Sequence, residues 1–136
     1  MAMKSIANSL SGEGAGVYLT DDDPVLVGEA LPFSLKLMET ILQETPEHEG
    51  LLVATASGFV MYAHAWVLLP ATELQGDDLP RARAERRRAK KLFLRGREYA
   101  GRALELRAPG ILDGLREDPT AAMEGLDEDG IPAMYW

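Results

Sequence analysis

Cysteine is missing from this 136-residue chain. That excludes a disulfide framework, a thiolate metal site and a cysteine nucleophile. Histidine is almost missing too, with His48 and His64 alone, and neither forms an HExxH or paired-histidine spacing. A metal site needs several convergent ligands, so no metal or other cofactor is expected. The serines (5, 9, 11, 34 and 57) never fall in a G-x-S-x-G elbow, and no catalytic constellation can be assembled. No stretch alternates convincingly as a strand does. An apolar secretory leader is absent from the opening Met1-Ala2-Met3-Lys4. The run Gly12-Glu13-Gly14-Ala15-Gly16 lacks the Lys-Ser/Thr ending of a phosphate loop and reads as a flexible connection.

Basic residues are scarce outside one place. Eleven of the fourteen lie between Arg81 and Arg107, alongside three acidic residues, while the rest of the chain carries three basic and nineteen acidic ones. So dipolar a sequence expects its basic helix to find acidic neighbours, in the chain or on a partner. The overall charge of −8 argues against nucleic acid. RNA binding through Arg81–Arg97 would also need stacking aromatics, and only Phe93 and Tyr99 are near.

What is present is dominated by Leu51–Leu69, nineteen residues without a formal charge. A helix apolar on every side either spans a membrane or forms the centre of a bundle. Thr55, Ser57, Tyr62, His64 and Trp66 bring polar atoms, and the preceding turn is acidic, so a central helix is the better reading. Its small residues, Ala54, Ala56, Gly58, Ala63 and Ala65, let neighbours come close. Phe59 and Met61 read as core. Tyr62 and Trp66, each with a polar atom to satisfy, could line an apolar ligand path. His64 reads as a core or groove histidine and His48 as solvated.

Around this helix the spacing predicts others. Ile6 and Leu10 share a face of a short helix over 5–11. Asp21-Asp22-Asp23-Pro24 caps and starts a second, whose apolar stripe (26, 27, 30, 31, 35, 37, 38, 41, 42) runs to Glu44 with a kink or break at Pro32. Thr45-Pro46 ends it, and the short link makes an antiparallel hairpin with the central helix. Pro70 kinks or stops that helix. The longest helix covers about 80–107, with a seam at Ala89, Leu92, Gly96, Tyr99, Ala103 and Leu106. Arg86, Arg87, Arg88, Lys90, Lys91, Arg95 and Arg97 fall outside it. Short helices follow from Ile111 and after Asp118-Pro119. The expected class is all-α, with residues 1–20 as a short helix and Gly-rich loop and 21–136 as a helical-hairpin domain, truncated after Trp136.

Gly96-x-x-Tyr99, Ala103-Leu104-Glu105-Leu106 and Pro109 echo the wording of a tetratricopeptide repeat. A wider match runs through ANSLSG (7–12), DDDP (21–24), ALPFSLKLMETIL (30–42), PEHEGLL (46–52), ASGFVMYAHAWV (56–67), RAKKLFLRGREY (88–99) and the terminal YW. In this order the chain resembles the N-terminal portion of the TatT family, the tetratricopeptide-like T components associated with tripartite ATP-independent periplasmic (TRAP) transporters. The resemblance implies a non-enzymatic, repeat-like periplasmic scaffold, lipid-anchored in the natural protein, forming a homo-oligomer with a trimer favoured. It also implies a partner, the periplasmic solute-binding component, and help in transferring an apolar or organic-acid ligand. Tyr62, His64 and Trp66 match an aromatic pattern and stand as lining candidates. Arg87, Arg88, Lys91 and Arg95 on the basic helix stand as partner-binding candidates. A general helical-repeat interaction module without a transport role, or an enzyme built on His64 and a carboxylate from another helix, are the competing readings.

Overall fold

The computed structural model describes residues 2–136. Among them every regular element is helical, and no strand occurs. In chain order the helices are α1 (Ala2–Ser11), α2 (Glu13–Thr20), α3 (Pro24–Glu44), α4 (Glu49–Tyr62), a π-helical turn (Ala63–Leu68), α5 (Leu69–Glu73), α6 (Leu79–Arg107), α7 (Ile111–Glu117), α8 (Pro119–Glu124), a 3₁₀ turn (Glu128–Gly130) and α9 (Ile131–Tyr135). The all-α expectation holds.

Three aspartates start helices in the same way. The Asp23 carboxylate accepts from the backbone N–H groups of Val25 and Leu26, both at 3.0 Å. Asp78 accepts from Arg81 N–H at 3.0 Å, and Asp118 from Thr120 and Ala121 at 3.1 Å. A proline at the first or second helical position follows each, where no N–H is needed.

The uncharged run lies at the centre, as α4 and its continuation. The helix Glu49–Glu73 has the length and hydropathy of a membrane span, yet half of its most apolar window is buried within the fold. It packs against α6, α3 and α1. Leu51, Leu52, Ala56 and Ala63 are completely buried. The main core gathers Ala7 of α1, Met38, Ile41 and Leu42 of α3, Leu51 and Leu52 of α4, and Ala103 and Leu104 of α6. A second cluster forms from Leu31, Leu35 and Phe59.

The long helix meets α4 through small residues, as its seam predicted: Ala89, Gly96 and Ala103 are buried. A Cβ on Gly96 would stand 2.9 Å from Val60 Cγ2 and 3.0 Å from the Ala56 carbonyl oxygen, so only glycine permits this approach. Leu106, assigned to the same seam, faces outward, and Leu104 is buried in its place. A seven-residue repeat drifts by roughly 20° per heptad on a straight α-helix, which carries the buried arc off the seam after two heptads.

Other expectations change. The glycine-rich run is helical from Glu13 onward, not a loop. On α1 the buried residue is Ala7, with Leu10 half-buried and Ile6 exposed. Pro32 does not break α3, because buried Leu31, Ser34 and Leu35 hold the turns around it. The apolar helix that α4 opens does not stop at Pro70 either, but continues through the π-helical turn and α5 to Glu73. A proline there cannot donate to the Trp66 carbonyl, and the preceding turn widens, with Leu69 N–H bonding to His64 O five residues back.

Candidate interaction surface

Three arginines of α6, each seven residues apart, lie over three aromatic rings. The Arg88 guanidinium sits 5.7 Å from the Tyr62 ring centroid, Arg95 5.0 Å from Phe59, and Arg102 5.4 Å from Tyr99. The rings themselves stack: Phe59 on Tyr99 at 6.0 Å and 6°, Tyr62 on Trp66 at 6.1 Å and 17°. Such a ladder costs little to hold, since cation–π contact contributes about 0.5–1 kcal/mol at an exposed site. The three guanidinium groups stand in a row along one helix, each also donating within the chain: Arg88 to the Tyr62 hydroxyl at 3.4 Å, Arg95 to Glu39 and Arg102 to the Pro46 carbonyl at 3.1 Å.

Each end is anchored differently. At one end Trp66 lies flat across α3, where Gly28 leaves room for the indole, and its Nε1–H donates to the Pro24 carbonyl at 3.0 Å. Four residues apart on one helical face, Trp66 lies beside Tyr62. Near the other end Glu39, 8 % exposed, receives Arg95 at 2.5 Å, Lys36 at 2.7 Å and the Tyr99 hydroxyl at 2.8 Å. Burial alone would push the Glu39 carboxyl up. The hydrogen bonds from Lys36 and Tyr99 and the charges of Arg95 and Lys36 outweigh it and hold the group below its ordinary value. Burial, and then Glu39 beside it, push the Tyr99 phenol up. Hydrogen bonding to Tyr62, opposed by desolvation, raises Arg88 further and keeps it charged.

The sequence candidates are therefore split. Tyr62 and Trp66 come together, and Arg88 and Arg95 join them on one surface. Arg87 and Lys91 are exposed on neighbouring positions of α6 and touch none of these rings. His64 is exposed, contrary to its reading as a core or groove histidine. With Trp66 and Tyr62 turned toward α3 and α6, the intervening residue faces solvent. His48 is not merely solvated: its Nδ1 accepts from Leu51 N–H at 3.1 Å and caps α4, while Nε2 lies 2.8 Å from Asn8 Oδ1.

Phe59, Tyr99, Arg102 and Glu39 were missed as members of this surface. The seven-residue spacing of Arg88, Arg95 and Arg102 was the available signal. Part of the basic helix does find acidic neighbours in the chain, since Arg107 pairs with Glu49 at 2.7 Å and with Asp127 at 3.0 Å. Among the described residues no three His, Cys, Asp or Glu side chains are grouped to hold a metal ion.

An all-helical fold with an arginine stripe backed by aromatic rings defines the class of protein as all-α. The particular family follows from comparison. Residues 20–136 match the TRAP transporter T-component family, and the chain belongs to it. A protein of Treponema pallidum (strain Nichols), described as uncharacterized, is 39 % identical over 124 residues, covering 88 % of this chain and 38 % of the relative. The chain thus spans well under half the length of that relative.

Proposed function

We propose that this chain is a non-enzymatic scaffold of a TRAP-type transport system, acting in the periplasm. It docks the solute-binding component and assists passage of an apolar or organic-acid ligand. Membership of the T-component family supports the transport setting. The observation that supports docking is the ladder of Arg88, Arg95 and Arg102 over Tyr62, Phe59 and Tyr99. Aromatic residues and arginine are the side chains most enriched where partners bind tightly. A row of guanidinium groups complements an acidic surface and accelerates encounter with it.

In this reading Arg88 and Arg95 contact the partner through the ladder, and Arg87 and Lys91 contribute long-range attraction from the adjoining face. Tyr62 and Trp66 border the ligand's route. The α3–α4 hairpin is the first of a set of tetratricopeptide-like units, and a lipid tether on the natural protein keeps the scaffold at the membrane.

Binding of the solute-binding protein encoded with the natural gene tests this, measured by calorimetry on the full-length protein at several salt concentrations. Affinity that falls with salt, and falls at least tenfold in the combined Arg87→Ala, Arg88→Ala, Lys91→Ala variant, is the expected result. No association at low salt would overturn it. Fractionation of the natural protein gives a second readout, since a purely cytosolic pool would favour a general interaction module.

A further inference from the structure

Helices α3 and α6 both pack on α4, and a pocket of about 210 Å³ is left open between them. Spacings of three and four residues turn Lys36, Glu39 and Gln43 of α3 toward Arg95, Tyr99 and Arg102 of α6. Three cations thus share the pocket with one carboxylate, an excess of two positive charges. Glu39 takes one donor from each of Lys36 and Arg95. Those side chains, 68 % and 44 % exposed, present their further N–H groups to water. Arg102 meets uncharged groups, the Pro46 carbonyl at 3.1 Å and the Tyr99 ring. Among the described residues it forms no ion pair. Gln43 adds an exposed amide at the rim.

We propose that this pocket is a socket for one carboxylate of the docked partner, the end of an aspartate or glutamate side chain. Such a socket presupposes docking along α6, and it is the contact that fixes where the partner sits. Two rungs of the arginine ladder, Arg95 and Arg102, form one wall, so a partner laid along the ladder crosses the mouth of the pocket. The incoming carboxylate meets two planar guanidinium forks and an ammonium group, the donors that suit it best. Glu39, 8 % exposed, stays paired beneath them. Size selects the occupant: the pocket is smaller than the roughly 300–1,000 Å³ of a site for a whole organic ligand, and fits a side-chain end. Its walls are polar apart from buried Leu42, so no apolar segment is needed to cover it. Arg87 and Lys91 then supply attraction, and the socket supplies register.

Propionate copies the end of a glutamate side chain and probes the socket in the chain alone. In nitrogen-15 spectra of the arginine Nε–H groups, sodium propionate should move Arg95 and Arg102 saturably. Sodium chloride at equal ionic strength should not. Gln43→Glu, which sets a carboxylate at the rim, should weaken propionate binding about tenfold with helicity unchanged. Arg102→Gln, whose amide can still donate to the Pro46 carbonyl, should do the same. Gln75→Glu makes the same charge change beside Arg86, away from the pocket, and should leave propionate binding unchanged. Equal shifts in chloride, or shifts spread evenly over Arg83, Arg87 and Arg97, would overturn the socket.

Binding of the solute-binding protein encoded with the natural gene, measured on the full-length protein, separates the socket from docking itself. Saturating propionate, against chloride at equal ionic strength, should weaken that binding about tenfold, as should Gln43→Glu. Partner binding indifferent to both would overturn the socket and leave docking intact. Propionate shifts without any partner binding at low salt would overturn docking and, with it, the partner as the source of the carboxylate.

Discussion

The Tyr99 hydroxyl donates to Oε1 of Glu39 at 2.8 Å, joining α6 to α3 across sixty residues of chain. Arg95 and Lys36 reach the same carboxylate. Glu39 therefore sits at the contact between the hairpin's first helix and the helix that carries the arginine ladder. It fixes the height of Arg95 over Phe59, and with it one rung of the ladder.

Its acid behaviour follows from the shift. Folding holds the Glu39 carboxyl below its ordinary 4.5. A carboxylate depressed by folding adds stability that is complete above the unfolded value and is lost as pH falls through the folded one. Glu39→Gln should cost about 1–3 kcal/mol at neutral pH, the range for unsatisfying a buried polar network. The difference between the parent and Glu39→Gln in denaturant midpoint should shrink as pH drops below 4.5, with the parent losing the advantage. A difference that stays constant down to pH 3 would show that the ionised carboxylate is not what stabilises.

Gly96→Ala sets two effects against each other. Alanine is the better helix former by about 1 kcal/mol. Its Cβ, however, would meet the Ala56 carbonyl, a backbone atom that cannot rotate away, as well as Val60. Overpacking of a tight contact costs about 1–3 kcal/mol, so a net loss of thermal stability is expected. Gly16→Ala is the control: nothing lies within 4 Å of the new Cβ, and it should leave stability unchanged or raise it.

The start of α4 depends on a histidine used as a cap. With Nδ1 accepting from Leu51 N–H, the neutral ring carries its proton on Nε2 and donates to Asn8. Nitrogen-15 shifts of the His48 ring should report that tautomer. His48→Ala should cost about 1 kcal/mol, the usual worth of an N-cap, and loosen α1 through loss of Asn8. His48→Asn, whose side-chain oxygen can cap, should recover most of the helix contribution but not the tie to α1.

Much of this architecture was legible because its cues are local. Asp-Pro pairs at 23–24 and 118–119, the Thr45-Pro46 break and the Ala89–Gly96–Ala103 seam each declare themselves within a few residues. What escaped depends on distance in the chain. Glu39 looked like one more carboxylate until Arg95 and Tyr99 arrived from a helix far along the chain, Tyr99 sixty residues away. Pro32 and Pro70 looked like breaks because local rules ignore packing on either side and the option of a wider turn. The aromatic candidates were half visible. The 62–66 spacing suggested a pair, and helical geometry alone puts Tyr62 and Trp66 on one face with His64 on the other. What the spacing could not show is that this face meets Pro24 of α3 and Arg88 of α6.

That face can be probed through Gly28. A Cβ there would lie 2.1 Å from the Trp66 indole nitrogen. The ring is a side-chain end and can swing away, so Gly28→Ala should displace it without unfolding α3. Displacement breaks the 3.0 Å bond from Nε1–H to the Pro24 carbonyl and uncovers the Tyr62 face. Trp136 is the second tryptophan, so the measurement is made in a Trp136→Phe background. Gly28→Ala should then shift Trp66 emission to longer wavelength and lower stability by about 1 kcal/mol, one hydrogen bond's worth. Trp66→Phe should cost the same bond without steric conflict, and adding Gly28→Ala to it should cost clearly less than Gly28→Ala alone. Strict additivity of the two changes would mean that Gly28 is kept for some reason other than the indole.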